Sequence, residues 1–239
     1  MTDIEAIVVV AGIEGPDVRA DIAVMMTQIG NLQSAVNGLL YVAPQILTLT
    51  ASGSDPRIVE VGSSVSSVAL AWTLSKTVTS QLISGASSAT VPPGTTTYTA
   101  TGPYTTDRTW TLTVDDGTAY PGHSDSDSVQ LLFQSRRYWG ALADETVDDA
   151  DILDMPFSEL ATAFGPKAIT YNCTGGRYPY YVFPADWGTP ANVTVNGLAF
   201  SDFSNTTQSF INASGSEALY RVLRFNNLLF GAAVPVVWQ

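Results

Sequence analysis

The amino-acid sequence predicts a mainly β chain, with a helix of coiled-coil type at its start, a β-sandwich in its middle and a β-rich unit carrying one or two short helices at its end. Three observations predict it. Apolar residues keep a heptad spacing as far as Leu39, the spacing becomes two after Pro44, and the composition shifts again after Arg136. The divisions that follow are 1–44 for an N-terminal arm and oligomerisation or attachment helix, 45–135 for the sandwich and 136–239 for the C-terminal unit.

In the first segment Val18, Ile22, Met25, Ile29, Leu32, Val36 and Leu39 are separated by alternating steps of four and three. That repeat keeps one apolar seam facing a partner helix. Pro16 suits a first helical turn, and Asp17 and Asp21 suit the positive end of a helix dipole. Ile22, Ile29 and Val36 take a positions; Val18, Met25, Leu32 and Leu39 take d positions. β-branched a with Leu-like d favours two strands, whereas Met26 at e and Ala35 at g widen the stripe to suit a third helix or a globular wall. Gly30 and Gly38 each weaken an isolated helix by about 1 kcal/mol relative to Ala, so packing is needed to form it. Two readings stay open. One is an amphipathic helix on its own domain; the sharper one is a self-associating or docking helix, preceded by an apolar arm from Ile4 to Ile13.

In the second segment Val68, Leu70, Trp72 and Leu74 alternate with small or hydroxyl residues, as do Trp110, Leu112 and Val114, and then Val129, Leu131 and Phe133. Turn clusters separate them at Ser84-Gly85, Pro92-Pro93-Gly94, Asp115-Asp116-Gly117 and Pro121-Gly122. Short strands at this spacing, each with one apolar and one hydroxyl face, read as a small sandwich of immunoglobulin-like type. Residues 48–128 hold 31 Ser or Thr, so the outer faces are polar but hardly charged.

The third segment opens with an acidic stretch: residues 144–159 contain seven acids and no base. Thr146 with Asp149 predicts a capping box, and Pro156 predicts a second short helix stopped by Gly165 and Pro166. Strands are predicted at Ile169–Cys173, Tyr180–Phe183, Gln208–Ile211, Leu219–Phe225 and Val234–Trp238. Val193–Val195 and Leu198–Phe200 flank Asn196-Gly197, a hairpin signal.

Chemistry is scarce. The 239 residues carry 22 acids against 10 Lys and Arg, a net charge of −12, with one Cys and one His. That balance excludes nucleic acid and anionic membrane surfaces as main partners. The start of the chain is acidic and its apolar run short, so neither a targeting segment nor membrane insertion is expected. One Cys forms no internal disulfide, and Cys173, alternating with Tyr171 and Ile169, reads as buried. His123 reads as a solvated loop residue, with no nucleophile elbow or zinc-binding helix motif anywhere in the chain. Asp125 with Asp127 and Asp149 with Asp151 offer oxygen ligands but lack the spacing of a calcium loop, so they read as solvated acidic faces. No catalytic residue, metal site or cofactor is therefore expected. Tyr178, Tyr180 and Trp187 are the receptor-contact candidates, because aromatic faces stack on sugars and anchor partners; alternating aromatics of a β unit are nonetheless more often core. Arg136 and Arg137, beside the acidic stretch, predict an ion pair at the domain junction.

From Arg136 onward the chain resembles the C-terminal module of tailed-bacteriophage virion proteins. The residues that carry the resemblance are Arg136-Arg-Tyr-Trp-Gly140, Ile152-Leu153, Lys167-Ala-Ile-Thr170, Gly175-Gly-Arg-Tyr-Pro-Tyr-Tyr-Val-Phe-Pro184, Asn196-Gly197, Asn212-Ala-Ser-Gly215 and Tyr220-Arg-Val-Leu-Arg224 with Asn226-Asn227. The hairpin at Thr109–Gly117 is similar to the immunoglobulin-like modules placed before such a unit in tail proteins. The resemblance implies a non-enzymatic structural protein of a tail fibre or baseplate, located in the virion, attached through its N-terminal element and often homotrimeric. Implied partners are further copies of the chain, other virion proteins and a host-surface glycan. A capsid decoration or neck protein, or a carbohydrate-binding adhesin module, is the alternative.

Overall fold

The computed structural model describes residues 16–118, 120 and 122–239, so the arm from Ile4 to Ile13 lies outside the described residues. The chain is mainly β, with few helices. Helix α1 (Pro16–Leu39) is followed by β1 (Ile46–Ala51), β2 (Arg57–Glu60), β3 (Val65–Leu74), β4 (Ser80–Gly85), β5 (Ala89–Val91), β6 (Thr97–Tyr104), β7 (Arg108–Asp115) and β8 (Ser124–Leu142). Then come α2 (Asp149–Leu153), β9 (Phe157–Ala161), β10 (Lys167–Tyr171), β11 (Tyr178–Pro184), β12 (Val193–Val195), β13 (Leu198–Ala199), β14 (Phe203–Ile211), β15 (Glu217–Phe225) and β16 (Val234–Trp238).

Strands β1, β3 and β6 form one antiparallel sheet in the order β1-β3-β6. Its inner residues, among them Leu49, Val68, Leu70 and Ala100, share a core with Ile83, Trp110, Leu112, Val114, Val129 and Leu131 of the larger sheet. The alternation read from the sequence sets this arrangement, because every second side chain of β3 and β7 faces inward. Gln81, fully buried, accepts from Trp72 Nε1 at 2.8 Å and donates to the carbonyls of Pro92 and Thr95.

The larger sheet has nine strands, in the order β14-β15-β11-β8-β7-β4-β5, with β2 and β9 also pairing with β8. Strand β8, 19 residues long, belongs to both halves of the molecule. Its Leu131 faces Arg108 of β7 on one side and Arg57 of the parallel β2 on the other. Further along, Tyr138 and Trp139 pair with β9 and β11. The strand therefore runs through the division at residues 135 and 136 without a break. Beyond it lie two more cores, one on each face of the β11 and β15 ladder. Tyr181, Phe183, Leu223 and Phe225 pack against the sheet β10-β16-β12-β13 through Trp238, Val236 and Cys173. Tyr180, Val182, Phe210 and Tyr220 pack beneath Ile152 and Met155.

Two local expectations are corrected. The capping box is made by Asp148, with Asp151 as its reciprocal partner, and not by Thr146. No helix starts at Pro156. Residues Phe157–Ala161 form β9, because pairing with β8 places Phe157 on Trp139 and Glu159 beside Arg137 and Lys167. A tertiary ladder outweighs a local start signal here. The Asn196-Gly197 hairpin forms, with both residues at positive φ of 52° and 79°.

The two halves are also locked side to side. Arg136 Nε donates to Glu60 Oε2 at 3.1 Å, and Tyr220 donates to the Arg136 carbonyl at 3.0 Å. Asn212 donates to the Val61 carbonyl, and the hydroxyls of Ser63 and Ser214 are 2.9 Å apart. A Cβ on Gly62 would stand 2.3 Å from that of Ser216, so only glycine lets the turns approach this closely. Burial, and next the Glu60 charge, push the Tyr220 phenol up to about 12. Glu60 is 8% exposed. Replacing Arg136 by Ala strands its carboxylate without an opposite charge, at an expected cost of about 2–3 kcal/mol by urea unfolding. Arg136→Lys should recover part of that loss; an unchanged midpoint in the Ala variant would remove the lock from the stability of the chain.

Candidate functional site

Two features of the surface bear on function: helix α1 and the site at its foot. The helix carries the heptad stripe almost bare. Ile22 is half-buried, while Met25, Ile29, Leu32, Val36 and Leu39 are exposed, Leu32 at 70% and Leu39 at 86%. Val18 is in the helix, but its side chain lies outside the described residues. Among the described residues no strand packs extensively along α1. From Ile22 to Leu39 the helix has no charged residue, so e and g positions such as Met26, Gln28, Gln33 and Ala35 supply no ion pairs. Each apolar side chain on it represents roughly 1.5–3 kcal/mol that burial against a partner would recover. A helix of 24 residues with two glycines has little stability of its own.

The foot of α1 is fastened to the sandwich by residues far apart in sequence. Tyr41 donates its hydroxyl to Asp116 Oδ2 at 2.8 Å, and its ring lies 5.0 Å from that of Tyr120. Lys76 Nζ reaches Asp116 Oδ2 at 2.6 Å and the Val42 carbonyl at 2.6 Å, and sits 4.6 Å from the Tyr41 ring centre. The chain then enters β1 held on both sides: Gln45 N–H donates to Ser75 Oγ and Ile46 N–H to Asp125 Oδ2. The Lys76 ammonium, together with the Tyr41 hydroxyl and Thr118, holds the Asp116 carboxyl well below the usual aspartate range. Desolvation and the bond to Asp116 push the Tyr41 phenol up. Nearby, His123 Nδ1 and Asp115 Oδ2 are 3.0 Å apart, so the loop histidine has a carboxylate neighbour. Asp115 is lowered, first by the Gly117 N–H and then by His123. Sequence reasoning missed this clamp, since Tyr41, Lys76 and Asp116 share no motif and meet only once the sandwich closes.

The aromatic candidates are placed differently from the expectation of surface platforms. Tyr180 is 1% exposed and donates to the Asp144 carbonyl, and Tyr178, also buried, donates to Glu145 Oε1 beneath the Arg224 guanidinium. Trp187 is half-buried and stacked near Phe183, with centroids 6.4 Å apart. Both tyrosines are thus core residues whose rings offer no open face. The register of β11, with all seven side chains buried between two layers, is the reason. Cys173 is fully buried, and burial pushes its thiol up. Among the described residues no group of three or more His, Cys, Asp or Glu is placed to hold a metal ion, and no helix is long and apolar enough to cross a membrane.

The clamp has a definite pH dependence. Because the folded Asp116 carboxyl is held below its ordinary value of 3.8, its contribution is complete above that value and is lost as pH falls through the lower folded one. Protection factors for hydrogen exchange at Gln45 and Ile46, taken against the intrinsic rate at each pH, should therefore be high at neutral pH and should fall in acid or in Asp116→Asn. Equal protection in both proteins at neutral pH would show that the clamp is not what holds the foot of α1. No protein-family model, curated protein or solved structure matches the chain.

Proposed function

We propose that the chain is a non-enzymatic structural protein of a tailed-bacteriophage virion, of tail-fibre or baseplate type, that assembles through α1 as a parallel homotrimer. The bare, uncharged heptad stripe carries this reading. Further copies of the same chain are its natural occupants, since the seam is self-complementary and no e or g charge from Ile22 onward selects a different partner. The apolar Met26 and Ala35 beside the seam favour three helices over two. In the same reading β1 to β8 make an immunoglobulin-like sandwich. The separation into β1-β3-β6 and β5-β4-β7-β8, with β2 running parallel to β8, supports that assignment. The virion location rests on the resemblance from Arg136 onward, and host attachment is the role that would suit the distal module.

Light scattering on the whole chain tests the assembly directly. The expected mass is that of a trimer, falling to a monomer when residues 1–44 are removed or when Ile29 and Leu32 are both replaced by Asp. A trimer that survives both changes would sink the role given to α1. Density for the chain in a map of the intact virion tests the location: tail density is expected, and capsid density would replace this reading with that of a decoration protein.

A further inference from the structure

We propose that the cleft beside Arg177 binds a sugar bearing a carboxylate. The proposal is independent of α1, because the cleft is built from β8 onward and stands whether or not the chain is a trimer. The cleft has a volume of about 570 Å³ and lies where the end of β8, the start of β9 and the turn after β10 meet. That is enough for one or two sugar rings.

Its chemistry is selective. Arg177 lines it, and no Asp or Glu does. In a chain of net charge −12 that is the reverse of the average surface. Among the described residues, Arg177 makes no side-chain hydrogen bond or ion pair, whereas every other Lys and Arg except Arg19 makes at least one. The Arg177 backbone is bonded in both directions to Leu229, at 3.0 and 2.9 Å, which fixes where the side chain leaves the main chain, and the residue is exposed to an incoming ligand. An exposed guanidinium without a carboxylate partner is suited to bidentate capture of one from a ligand.

The remaining walls suit a sugar ring. Phe157 lines the cleft and is 54% exposed, and its neighbour Trp139 stacks on it at 6.1 Å with an interplanar angle of 12°. A supported, open aromatic ring is a platform for the C–H face of a pyranose. Asn172 Oδ1 accepts from the Thr174 N–H, which fixes the amide and leaves its NH₂ to donate to a ligand hydroxyl. The hydroxyls of Thr170 and Thr174 border the same space. Tyr171 forms an immobile wall, its hydroxyl held between the Tyr180 carbonyl and Trp238 Nε1. The buried tyrosines of β11 are thus replaced as stacking candidates by Phe157, which neither alternation nor composition singles out.

The test is a titration of the full-length chain, by NMR or calorimetry, with trigalacturonate, its methyl ester and sialyllactose. Binding of at least one acidic sugar is expected, with a dissociation constant of about 1 mM or tighter. Which of the two binds distinguishes a uronate from a sialoside. The methyl ester, and Arg177→Ala with an unchanged melting temperature, should each weaken binding by about tenfold or more. Phe157→Ala should weaken it as well. Failure of both acidic sugars to bind, or binding that Arg177→Ala leaves unaltered, would overturn the proposal, and neither result would change the mass measured for the assembly.

Discussion

The molecule depends on one strand. All three cores lie against β8: Val129 and Leu131 enter the first, Trp139 and Ala141 border the second, and Tyr138 enters the third. A 19-residue strand is far longer than the usual five or six. It persists because it finds a new partner on each side as the old one ends. Strands β7 and β2 give way to β11 and β9 within a few residues, so its backbone groups stay paired across the junction. The contacts of Glu60 with Arg136, and of Val61 and Ser63 with the Asn212–Ser216 turn, then hold the two halves at a fixed attitude.

Much of this was legible in the sequence, and the illegible parts share a cause. Period-two alternation marked β3, β7 and the middle of β8, the heptads marked α1, and Asn-Gly marked the β12–β13 turn, because each is set by local geometry and a single buried face. The full length of β8 was not legible. Its ends, Ser124–Ser128 and Gly140–Leu142, carry no apolar alternation and are strand only because neighbours pair with them. The same holds for Phe157–Ala161, where Pro156 and the acidic run signalled a helix and the ladder to β8 prevailed. The aromatic run of β11 was ambiguous in a different way. A strand buried on both faces has no exposed alternate, so its composition does not separate a core from a binding platform.

Charge is distributed in keeping with this plan. Four of the ten cations hold the structure together from within: Lys76 at the foot of the helix, Arg136 at the junction, and Arg137 with Lys167 on Glu159. The acids, more than twice as numerous, are left largely to the surface. In the proposed assembly that surplus would keep the bodies of neighbouring copies apart, while the uncharged stretch of α1 from Ile22 would let their stripes approach. The proposed seam and the acidic body thus favour contact at one end of the molecule only.

Strand β8 also has a mechanical meaning. It starts beside the clamp, at His123 and Asp125, and ends at the cleft, where Gly140 and Ala141 form part of the wall. At the usual rise its residues span about 60 Å. A tug applied at the cleft while the helix is held would pass along this single strand. Its hydrogen bonds to β7, β2, β9 and β11 lie across the direction of pull, so they are loaded together in shear instead of opening one after another like a zip. The molecule is in this sense a tether with a stiff backbone, resistant along its length.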